Sequence, residues 1–147
     1  VIGSSTIALL KPLSIVIVAG HSIILGGALL IAPGRVLALT RWPLPADMFF
    51  ASQSGVFLVI LGFAYLAALW HEVFVWLIVG SKLAAVLFLF GHGILGGAPF
   101  QVMLLGAADA CLGLLVVAGL IAKQEVHAEA SVAENACTGE PRALARR

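Results

Sequence analysis

Lys82 and Asp109 each interrupt a long apolar run, and a charge near the centre of a bilayer costs roughly 2.5 to 3.5 kcal/mol on insertion scales. Counted outward from the glycine-rich stretch GHGILGGAPF between their runs, the two residues stand at similar distances. An antiparallel helical hairpin therefore brings them to similar depth, and an ion pair between them is the expectation. His21 sits in the middle of the first apolar run, on one helical face with Ile17, Leu25 and Ala28. Two readings of these three residues stay open. Lys82 and Asp109 could neutralise each other as a structural clasp, with His21 a core residue holding one hydrogen-bond partner. Alternatively, the three could converge as a proton relay or a substrate-facing polar site.

Other chemistries lack their residues. His92 invites a haem reading, since axial ligation uses histidine, yet it stands near the loop end of its run while His21 is mid-run and His71 is at the opposite surface. No histidine pair shares a depth, so haem is disfavoured. The string HEVFVW lacks the second histidine of the helical zinc motif, and no metal site is expected. Cys111 lies in an apolar run and Cys137 in a polar segment, a poor disparity for a disulfide. A net charge of +1 forms no basic stripe, which argues against nucleic acid as a partner. No phosphate loop and no nucleophile with an adjacent base is present, so a catalytic role is not expected.

The elements that must position Lys82, Asp109 and His21 follow from composition. The chain of 147 residues is 62% hydrophobic and 10% charged, with a mean hydropathy of +1.14, which excludes an ordinary soluble domain. A hydrocarbon core of about 30 Å needs ~20 apolar residues in a helix. Four segments meet that length, about 13–31, 49–70, 74–95 and 100–121. Backbone polar groups cannot stay unpaired in lipid, and these runs lack the alternation of barrel strands, so each is predicted to be helical. The expected fold is an all-α, integral membrane four-helix bundle occupying residues 1–122. An even number of spans puts both termini on one side, together with the turn at His71 and Glu72. From Lys123 to Arg147 the composition becomes polar, and this tail is not expected to fold alone. Val1 stands where an initiator methionine would, which leaves a processed N-terminus open.

The first loop, PGRVLALTRWPLPAD, reads as an interfacial segment. Arg35, Arg41 and Trp42 belong at headgroup level, and Asp47 is placed to cap the next helix. Trp70 and Trp76, with Tyr65 one turn deeper, are expected to form an aromatic belt at the opposite surface. Small residues mark helix-packing faces, Gly55 with Gly62 in the second span and Gly106, Ala110 and Gly113 beside Asp109 in the fourth. The fragments HSIILGGA and HGILGGA echo each other, but the first falls inside a span and the second runs into a loop, so they read as composition rather than as a repeat. Lys11 and Lys123 on one side balance Arg35 and Arg41 on the other, leaving orientation open.

The series from APGRV through RWPLPADMFFASQSGVFLVILGFAYLAALW and SKLAAVLFLF to LLGAADACLGLLVVAGL resembles the small DoxX-like four-helix membrane proteins of bacteria. The resemblance covers roughly residues 13–121 and leaves out the tail. It implies a fold more than an activity, because that group is functionally heterogeneous, with some relatives associated with quinone-linked or redox complexes.

Three functions remain in view. The first is a non-catalytic accessory or structural subunit of a larger membrane complex, packing against other subunits through its small-residue faces. The second is a small proton-coupled carrier with a Lys82, Asp109 and His21 site. The third is a quinone-binding or electron-transfer protein. Lipids are partners in every case, and lipid, quinone or pigment contacts made through partner subunits would leave no signature in ordinary apolar side chains.

Overall fold

The computed structural model describes residues 4–138. Val1 and the tail arginines Arg142, Arg146 and Arg147 lie outside them. Five helices follow in order, α1 (Ser4–Ile31), α2 (Pro33–Leu39), α3 (Phe49–Leu66), α4 (Val73–Leu95) and α5 (Phe100–Thr138), with a 3-10 turn at Ala67–Leu69 prolonging α3. Four helical segments, Leu9–Ile31, Phe49–Leu69, Val73–Leu95 and Phe100–Ala122, are long and apolar enough to cross a membrane. The fold is an all-α four-helix membrane bundle, and its lipid-length stretches match the apolar runs of the sequence to within a few residues.

Two hairpins build the bundle. α1 packs most extensively on α3 and α4 on α5, and the hairpins join along α1 and α5, whereas α3 and α4 touch far less. Burial in lipid brings no hydrophobic gain between helices, so close packing must hold them. The core gathers Ile15, Val18 and Ala19 of α1, Tyr65 and Ala68 at the end of the second span, Val75 and Ile78 of α4 and Val116 of α5. Large apolar side chains such as Phe57, Phe63, Leu87 and Leu114 point outward, each at least 60% exposed, as a lipid-facing surface requires.

The ends of the spans are fixed locally. Pro33 stands at the first turn of α2, where its missing N–H is not needed. α2 closes with the amides of Arg41 and Trp42 donating to the carbonyls of Ala38 and Leu37, a Schellman arrangement that puts Arg41 at φ 53°, where glycine is usual. Asp47 Oδ1 accepts the Phe49 amide at 2.8 Å at the start of α3. At the other end of the bundle, Lys11 Nζ lies 3.1 Å from Glu72 Oε1, tying the early part of α1 to the turn before α4.

Two features differ from the sequence reading. Tyr65 is not part of an interfacial belt, being only 1% exposed within the core. The polar tail from Lys123 continues as helix to Thr138, because lysine, glutamine, glutamate and alanine propagate a helix that the preceding span has already nucleated.

Candidate functional site: an intramembrane charge pair

Lys82 lies mid-way along α4 and is 5% exposed. Its Nζ donates to Asp109 Oδ1 on α5 at 2.5 Å, with the two side chains 7% and 15% exposed. The small residues flanking Asp109 allow this approach. A Cβ at Gly113 would stand 3.3 Å from Lys82 Cβ, and one at Gly106 would stand 3.0 Å from the Phe90 ring, so both glycines face α4 directly.

The pair is not sealed inside the bundle. Lys82 and Asp109 line a cleft of about 280 Å³ between α4 and α5, together with Val79, Val86, Ala110, Gly113 and Val117. Leu83 and Leu114 complete its lining and are 58% and 68% exposed, so the cleft opens toward the lipid-facing surface. Apart from the charge pair, its walls are aliphatic.

His21 approaches from α1. Both Lys82 and Asp109 act electrostatically on its imidazole, which places the three residues in one neighbourhood. Its Nδ1 is buried and has no hydrogen-bond partner among the described residues, and the same holds for the hydroxyl of the adjacent Ser22. A polar atom buried without a partner costs about 1 to 3 kcal/mol, a penalty that His21 Nδ1 bears in this bundle.

Sequence reasoning missed a second polar contact. The Tyr65 hydroxyl meets Ser81 Oγ at 2.5 Å, and Ser81 Oγ donates to the Ile78 carbonyl at 2.9 Å. Since Ser81 has one proton and directs it to Ile78, Tyr65 is the donor between them. The contact joins α3 to α4 at the residue preceding Lys82, and Asp109 acts electrostatically on Tyr65 as well. A usable signal existed, for Tyr65 stands three residues beyond Gly62 and so shares the face of Gly55 and Gly62.

The remaining candidates fall elsewhere. Gly55 and Gly62 are buried against α1, the former facing Gly26 and the latter Ala19 and Ile23. Arg35, Arg41 and Trp42 are exposed on and after α2, and Trp70 is 74% exposed beside the opposite turn. His71 is exposed in that turn, and His92 is exposed near the other end of α4, where its Nδ1 lies 3.0 Å from the Phe88 carbonyl. Gln53, near the start of the second span, is exposed. Cys111 is exposed on α5 with a free thiol. Among the described residues, no group of three or more histidine, cysteine, aspartate or glutamate side chains is arranged to hold a metal ion. No family model, no curated protein and no solved structure matches this chain.

Proposed function

We propose that this protein is a small integral membrane carrier whose working centre is Lys82, Asp109 and His21. One observation carries the reading: the ion pair, though largely buried, forms part of the wall of a cleft that opens between α4 and α5. A pair kept only as a clasp is best served by full enclosure and complete hydrogen bonding, because desolvated charges with unused donors and acceptors are costly. Here the pair borders the cleft, and the nearby His21 has a nitrogen without a partner among the described residues. The ion pair would then respond to what occupies the cleft, with His21 as a third polar group near it. The even number of spans would place both termini on one side of the membrane, and the DoxX-like resemblance enters as a proposal about the bundle alone.

Native mass spectrometry of the protein extracted in mild detergent tests this reading. A chain found alone, or only with copies of itself, is the expected result. Stoichiometric foreign polypeptides would overturn it in favour of an accessory subunit. One observation favours that second reading: α5 runs 39 residues, well past the ~20 that a bilayer needs. An isolated helical extension of this kind is marginal in water without packing partners.

A further inference from the structure

We propose that the cleft between α4 and α5 binds a single-tailed, uncharged membrane amphiphile whose head both donates and accepts a hydrogen bond, a hydroxyl being the simplest, and that the ligand enters sideways from the bilayer. This deepens the carrier reading by naming the class of ligand at the same site.

The head follows from the valences of the pair. Among the described residues, Lys82 Nζ has Asp109 Oδ1 as its one partner, which leaves two N–H donors. The other carboxylate oxygen of Asp109 has no partner among those residues and remains an acceptor. The pair sums to zero charge, and the aliphatic walls offer no counter-charge. A carboxylate head would gain from Lys82 but be repelled by Asp109, and an ammonium head would meet the reverse. A neutral head that accepts from Lys82 and donates to Asp109 satisfies both without adding a net charge to the membrane interior.

The tail follows from the walls and the volume. Val79, Leu83, Val86, Leu114 and Val117 offer only aliphatic contact. About 280 Å³ falls just below the usual range of ligand sites, about 300 to 1,000 Å³, and this suits one chain rather than the two of a phospholipid. The exposure of Leu83 and Leu114 puts the mouth at the hydrocarbon, so the ligand need not cross water to arrive.

The test uses photoactivatable long alkyl chains bearing a mid-chain diazirine and ending in a hydroxyl, a carboxylate, an amine or a methyl group, applied to the protein in nanodiscs. The hydroxyl probe should label peptides containing Leu83, Val86 and Leu114 about fivefold more than the methyl-ended probe, the ratio that one net hydrogen bond supplies. Unlabelled alcohol should compete. Ala110→Phe, which fills the cleft and spares the charge pair, should bring the hydroxyl signal down to the methyl level with unchanged circular dichroism. Should that variant fail to fold, the double variant Lys82→Met with Asp109→Leu should fold and lose the hydroxyl preference. Equal labelling by all four probes, a preference for a charged head, or hydroxyl labelling that persists in the double variant would overturn the proposal. Its failure would leave the mass-spectrometric result for the carrier untouched, and hydroxyl-selective labelling of a chain with stoichiometric partners would sustain the site while overturning the carrier.

Discussion

Gly26 of α1 and Gly55 of α3 lie so close that a Cβ on either would stand 2.7 Å from the carbonyl oxygen of the other. Nothing but hydrogen fits between these backbones, and the contact sets the spacing of the first hairpin. Gly55→Val should therefore force the helices apart and cost about 1 to 3 kcal/mol, as overpacking does. Gly27 next door has nothing within 4 Å of a Cβ, so Gly27→Ala should stay within about 0.5 kcal/mol of the parent. Thermal unfolding of the two variants in detergent checks the contrast, and equal losses would contradict it.

The Lys82–Asp109 pair should respond asymmetrically to substitution. Lys82→Met or Asp109→Leu alone leaves one buried charge without its partner and should cost about 3 to 5 kcal/mol. The two together remove both charges and should restore stability to near the parent value. A double-mutant cycle on unfolding in detergent reads this directly. Additive losses in the cycle would mean that the two groups do not hold each other.

Ser81→Ala and Tyr65→Phe break the same hydrogen bond with different consequences. In Tyr65→Phe, Ser81 keeps its bond to the Ile78 carbonyl, and the loss should be about 1 kcal/mol. In Ser81→Ala, the hydroxyl of the 1% exposed Tyr65 is stranded, at a cost of about 1 to 3 kcal/mol. The serine variant should unfold at the lower temperature.

His21→Leu should separate stability from function. Removing a buried nitrogen that has no partner among the described residues relieves a penalty of about 1 to 3 kcal/mol, which offsets the packing lost with the ring. Stability should hold or rise, while a proton-coupled transport signal in proteoliposomes falls. A large loss of stability would return His21 to a structural role.

Arg41→Gly should stabilise the interfacial loop. Arg41 occupies a left-handed conformation at φ 53°, which costs an L-residue with a side chain roughly 1 to 2 kcal/mol. Glycine adopts it freely at the end of a helix. Circular dichroism melts should shift upward by a few degrees, consistent with a gain of about 1 kcal/mol.

Much of the site is legible in the sequence. Lys82 and Asp109 declared themselves as charges in apolar runs, and their equal spacing from one loop was enough to pair them. Gly106 and Gly113 were readable for the same reason, since small residues three and four places from a buried charge leave room for the helix that carries its partner. Tyr65 differs from the expected belt placement because a position near a span end, shortly before Trp70 and Trp76, suits a belt as well as a core. The contact of Gly26 was hidden inside a glycine pair, and only packing distinguishes it from Gly27.

The sequence by itself determined that four apolar stretches become membrane-length helices, because in lipid each backbone group must find its partner within its own segment. It also determined which charges share a depth, since depth is a count of residues at a fixed rise. Tertiary structure alone decided which way each helix is turned. A span apolar on every side has no marked inward face, so nothing in its pattern tells whether Tyr65 points to lipid or core, whether His21 finds a partner, or whether the wall beside Lys82 and Asp109 closes or opens to the bilayer. Those outcomes rest on the close fit of particular glycines and side chains between helices, which exists only once the bundle has assembled.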